Sequence, residues 1–127
     1  MFVALCSIDL LIPASRSLKA KRSVLQRIKG RLIQRFQVSV AEVGFQDRRQ
    51  RGLLGAAIVG ERPGYLRDRL QALRNAVEQE HECQILSWIE EVQRFDPDGF
   101  GLVSGVADED DIANDFEVDM PEEDEFE

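Results

Sequence analysis

Two stretches of this 127-residue chain carry the residue types that hold anions. Ser15-Arg16-Ser17-Leu18-Lys19-Ala20-Lys21-Arg22 places four cations where a helical pattern begins. Free N–H groups at a helix start attract anions, and Lys and Arg add charge-assisted hydrogen bonds. Arg16, Lys19, Lys21 and Arg22 are therefore candidates for phosphate or RNA contact. The second stretch, Gln46-Asp47-Arg48-Arg49-Gln50-Arg51-Gly52, sets Arg48, Arg49 and Arg51 in one connection, where a guanidinium can grip a phosphate bidentately. For both stretches the alternative is a solvated basic surface with no ligand. Residues 9–51 as a whole hold eleven basic and three acidic residues, a net charge of +8.

Other chemistries have less to work with. The sequence contains no G-x-x-x-x-G-K-[ST] phosphate loop, no G-x-G-x-x-G and no H-E-x-x-H. With His81 as the sole histidine and cysteines only at positions 6 and 83, no metal site, cofactor or small-molecule substrate is expected, and the chain reads as a non-enzyme. Two cysteines are too few for a disulfide framework, which makes a reducing cytoplasm the default location. No apolar run approaches the ~18 residues of a membrane helix. The apolar start, Phe2 to Ile12, is broken by Ser7 and Asp9 and lacks a basic leader, so it does not read as a secretory signal.

The net charge of −8 conceals two opposite regions. Residues 1–94 hold all sixteen basic residues against ten acidic ones, a net +6. Residues 95–127 hold the other fourteen acids and no Lys or Arg. Asp96-Pro97-Asp98-Gly99 punctuates the join. A segment so charged and so poor in apolar residues buries too little surface to offset its ordering entropy. The expectation is one domain over 1–94 and a disordered acidic tail over 95–127. The tail either solubilises or, through Phe100, Phe116, Met120 and Phe126 among the acids, carries a short docking motif.

The elements that must position the cations follow from periodicity. Phe2, Ala4, Cys6, Ile8, Leu10 and Ile12 alternate with Val3, Leu5, Ser7, Asp9 and Leu11, giving a strand with one wholly apolar face. Pro13 ends it, and Ser15 or Ser17 caps a helix to about Phe36 with Leu18, Leu25, Ile28, Leu32 and Phe36 on one stripe. Strands follow at 38–45 and 53–61. A second helix opens at Pro63 or Gly64 with Leu66, Leu70, Leu73 and Val77 in register, and a fourth strand covers 83 to about 93. The order βαββαβ predicts a ferredoxin-like α+β two-layer sandwich, with both helices on one face of an antiparallel sheet. The other face is left open, and on the first strand it carries Val3, Leu5 and Leu11. These are candidates for a protein interface, a homodimer included.

Many domains of this fold stack RNA bases on aromatics of their central strands. Here Leu53, Leu54 and Ala56 follow Arg51-Gly52 where aromatics would be needed, so any RNA contact is expected through phosphates or shape. Small acylphosphatases share the fold and hold phosphate after the first strand, where Arg16 falls. They also need an asparagine on the following hairpin, and the asparagines here are Asn75 and Asn114, in the second helix and the tail.

At Ser15 to Arg22 (SRSLKAKR) and Val38 to Val43 (VSVAEV), and again at Gln46-Asp47, Gln50-Arg51 and Leu54-Gly55, the sequence resembles the YlxP-like domain of unknown function. The resemblance covers about residues 1–93. It implies a ferredoxin-like fold and a small bacterial cytoplasmic protein. The family's genes commonly lie beside those of translation initiation and ribosome-binding factors, which implies ribosome association. It brings no catalytic residues. Where the family commonly has an apolar residue followed by Trp in the loop between strands two and three, this chain has Arg48-Arg49, and the acidic tail lies outside the pattern. The expected function is therefore a non-enzymatic RNA- or ribosome-associated protein. The alternative is a protein-interaction or self-association module that uses the open sheet face.

Overall fold

A strand whose alternate residues are all apolar can be buried on one side only if something large lies across it, and two amphipathic helices do so here. The structure, a computed structural model, describes residues 1–96 and 98–102. Its elements are β1 (Phe2–Leu11), α1 (Leu18–Phe36), β2 (Ser39–Gly44), β3 (Arg51–Gly60), α2 (Pro63–Glu78), β4 (Gln84–Asp96) and β5 (Gly99–Leu102). The strands form one antiparallel sheet in the order β2-β3-β1-β4-β5, and the first six elements follow the expected βαββαβ sequence.

β1 is central. Ala4, Cys6, Ile8 and Leu10 are buried beneath the helices, opposite Ile58, Ala56 and Leu54 of β3 and, at Ala4, Val92 of β4. Onto this face α1 lays Leu25, Ile28, Leu32 and Phe36, and α2 lays Leu66, Leu70, Leu73 and Val77. The two helices start by different means. Ser17 caps α1, its hydroxyl accepting from the Ala20 N–H at 3.0 Å, whereas α2 has Pro63 in its first turn and no side-chain cap. The approach of α1 to β3 is close enough that a Cβ on Gly52 would lie 2.8 Å from a Leu25 methyl, so glycine lets the basic connection enter the sheet there.

The sheet runs further than the sequence pattern implied. β4 continues to Asp96, and β5 returns beside it with Phe95 opposite Phe100, inside the stretch read as tail. The cause is pairing at the chain start. The Phe95 N–H donates to the Met1 carbonyl at 2.8 Å, and the Met1 amino group donates to the Phe95 carbonyl at 3.1 Å. That ladder carries β4 past the expected boundary. The disorder expected of the acidic tail concerns, beyond residue 102, positions outside the described residues.

Candidate nucleic-acid interface

β1 and β3 are antiparallel neighbours, so the loop leaving β1 and the loop entering β3 meet at one end of the sheet, beside the start of α1. They are stapled there. The Ile12 N–H donates to the Gln50 carbonyl at 2.8 Å. The Gln50 amide nitrogen donates to the carbonyls of Pro13 at 3.1 Å and Ser15 at 3.2 Å, and an Arg49 Nη reaches the Arg16 carbonyl at 3.5 Å. Pro13, Ala14, Ser15, Arg16, Arg49 and Gln50 line an open cleft of about 600 Å³ between the loops. Two basic segments more than twenty residues apart in sequence thus share one surface. Arg16 and Arg49 line the cleft, and Lys19, Arg22 and Arg48 are exposed on the same two segments. Among the described residues none of these five is in an ion pair, and the first turn of α1 contains no acid. The positive end of the α1 dipole adds to their field.

Two of the expected cations are elsewhere. Lys21 is 0% exposed and cannot be a surface contact. Its Nζ donates to the Phe45 carbonyl at 2.7 Å and the Gln46 carbonyl at 3.4 Å, and lies 3.2 Å from Glu42 Oε2. The reason is helical phase. Lys21 stands four residues before Leu25 and therefore on the same stripe as Leu25, Ile28, Leu32 and Phe36. A buried ammonium needs such partners, because an unpaired one would cost several kcal/mol, on the order of 3 or more. Arg51 is likewise engaged. It donates from Nε to Asp9 Oδ1 at 3.1 Å and from Nη2 to Oδ2 at 2.8 Å, and its guanidinium lies 4.6 Å from the centre of the Phe45 ring. Register explains this. Leu11 faces Arg51 and Asp9 faces Leu53, so Asp9 and Arg51 are diagonal neighbours on the open face.

Phe45, Gln50, Glu42 and Asp9 are the residues that position this end, and residue-type reasoning did not single them out. Phe45 adopts the left-handed backbone conformation at φ 57°, and Arg48 lies over its ring at 5.4 Å from the centre. The available signals were the i,i+4 relation of Lys21 to Leu25 and the one acid on the open face of β1.

The interface candidates Val3, Leu5 and Leu11 do lie on the face away from the helices, Leu5 exposed and the other two half-buried. Both thiols are on or near the covered side. Burial, helped by the Glu90 charge, pushes Cys6 up to about 12. Burial with Glu80 and Glu82 pushes Cys83 up to about 11. Neither is a reactive thiolate at neutral pH. Among the described residues no helix is long and apolar enough to cross a membrane, and no three His, Cys, Asp or Glu side chains converge as a metal-ligand group.

A family model described as a protein of unknown function (DUF503) matches residues 3–89. The chain belongs to this family. A similar sequence is the uncharacterized protein YlxP of Bacillus subtilis (strain 168), 51% identical over 43 residues, a match covering 34% of this chain and 47% of that protein. The match thus spans about half the length of that curated relative. The DUF503 region includes both stapled loops and all of α1 and α2, and it ends inside β4. β5 lies beyond it.

Proposed function

We propose that this DUF503 protein is a non-catalytic, cytoplasmic RNA- or ribosome-associated protein that grips a phosphate backbone at the α1 end of its sheet. One observation carries the reading. The stapling of the two loops brings Arg16 and Arg49 to one cleft, and neither these two nor the exposed Lys19, Arg22 and Arg48 on the same two segments have an acidic partner among the described residues. Cations held that way are available to phosphate oxygens, and Arg16 and Arg49 flank the cleft from opposite loops. The central strands offer Leu5, Ser7, Leu53 and Ala57 on the open face rather than aromatics, which favours backbone contact over base stacking. Two buried, unpaired thiols suit a reducing compartment.

The test is a salt titration of the full chain against ribosomal RNA, beside an Arg16→Ala, Arg48→Ala, Arg49→Ala variant. Each neutralised phosphate contributes about −0.7 (single strand) to −0.9 (duplex) to the slope of log affinity on log salt. The variant should bind more weakly at low salt, with a slope flatter by about two. Equal affinity and equal slope would remove this surface from the site.

A further inference from the structure

The face of the sheet turned away from the helices carries a second inference, independent of the polyanion reading. Its members are fixed by register. Val3 faces Val59 and Gln93, Leu5 faces Ala57 and Glu91, Ser7 faces Gly55 and Ile89, and Asp9 faces Leu53 and Ser87. Ala41 of β2 continues the row beyond Gly55, and a Cβ on Gly55 would lie 3.3 Å from a Val43 methyl, which places Val43 on this face too. Leu5 is 38% exposed, Val43 57%, Val59 62% and Ile89 65%. Monomeric proteins rarely leave a contiguous apolar patch of more than a few hundred Å² in water.

Three properties say what covers it. The first is size. With strands ~4.8 Å apart and ~3.3 Å per residue, β2, β3, β1 and β4 present roughly 500–600 Å² in projection. Two such faces together bury about 1,000–1,200 Å², enough to clear the ~1,000 Å² a biological interface needs and in the range of weak, reversible association. The second is charge. Asp9 and Arg51 neutralise one another in their bidentate pair, and Glu91 stands on β4, at that level the outermost described strand. Two copies therefore approach with little like-charge penalty at the centre. The third is relief. Val43, Val59 and Ile89 stand around a shallow floor of Ser7, Ala41, Gly55 and Ala57, so the surface offers both ridge and groove to a copy of itself. We propose that a second copy of this chain covers this face, sheet to sheet, in a two-fold dimer.

Sedimentation equilibrium of the full chain, from low to high micromolar and at two salt concentrations, tests the proposal. The expected result is a dimer whose dissociation constant barely moves with salt and rises at least about thirtyfold in Ile89→Lys. Ile89 is so exposed that this variant keeps its fold, checked by an unchanged circular dichroism spectrum and thermal midpoint under monomeric conditions. Leu5→Lys, nearer the centre of the face, should act in the same direction. A wild type that stays monomeric at high micromolar concentration would overturn the proposal and leave the face to a different protein or to residues 103–127. A dimer that survives both substitutions would overturn it as well, because the contact would then lie elsewhere.

Discussion

The α1 end and the open sheet face are both surfaces that the helix layer leaves uncovered, and they are built on opposite principles. At the α1 end, hydrogen bonds from Gln50 and Arg49 fix two loops while five cations are left without an acid among the described residues. On the open face Asp9 and Arg51 are matched within the face, and apolar side chains are left without a cover. One surface lacks anions and the other lacks contact area. The difference teaches that formal charge is a poor guide to electrostatic availability. Lys21 and Arg51 sit within a few residues of Arg22 and Arg49, yet both are structural. A free cation can drive association through counterion release, whereas an engaged one acts on stability.

The largest effect is expected where this distinction is sharpest. Lys21→Met removes the ammonium that ties α1 to the Phe45 and Gln46 carbonyls and faces Glu42. The methionine fills most of the volume but leaves a partly buried carboxylate and two carbonyls without their partner. The loss should be about 2–4 kcal/mol, read from the shift of the urea midpoint at constant m-value. Adding Glu42→Gln should restore part of it, because the uncompensated charge is then gone. If Lys21→Met instead left stability untouched and flattened the salt slope of RNA binding, Lys21 would belong with the free cations after all.

A smaller effect separates two arginines two residues apart. Arg51→Ala breaks a bidentate pair that is only partly exposed, together with its contact on Phe45, and should cost about 1–2 kcal/mol. It should leave the salt slope of nucleic-acid binding nearly unchanged when measured where both proteins are folded. Arg49→Ala should do the reverse, leaving the unfolding midpoint nearly unmoved and flattening the slope by about one. Equal behaviour of the two variants in both assays would erase the contrast between engaged and free cations.

How far the sequence could have led is clear from the same residues. The period-two pattern of β1 and the stripes of α1 and α2 were sufficient for the fold, because a core of this size leaves little choice of face for Ile8, Ile28 or Leu70. The same stripe, continued one turn back from Leu25, lands on Lys21. Residue type argued for the surface and phase argued for the core, and phase prevailed because three oxygen partners converge on the ammonium. The Asp9–Arg51 pair was out of reach for another reason: it depends on the register between β1 and β3, which no single strand encodes. β5 was missed because Asp-Pro-Asp-Gly and the acids after it outweighed a four-residue strand whose pairing with β4 is supported by the chain start. The gathering of Arg16 with Arg48 and Arg49 follows from topology once the fold is known, but the Gln50 staple that holds it does not.

A pH-dependent effect sharpens the comparison from the covered side of the sheet. Cys6 lies under the helices while its neighbour Ser7 lies on the open face. An unfolded thiol titrates near ~8.5. In the folded chain, burial pushes Cys83 up to about 11 and Cys6 up to about 12. Between the unfolded value and these, the unfolded chain gives up protons that the folded chain keeps. Stability is therefore whole below about pH 8 and declines as pH rises toward the folded values. The reading is a difference: the fall in urea midpoint from about pH 8 to about pH 10 should be smaller in a Cys6→Ala, Cys83→Ala variant than in the wild type. A thiol introduced as Ser7→Cys should react with a disulfide reagent at about pH 8 faster than Cys6 when the protein is monomeric, and should slow as concentration rises into the dimer range. Equal rates for the two positions in the monomer would mean that the sheet does not separate a covered face from an open one.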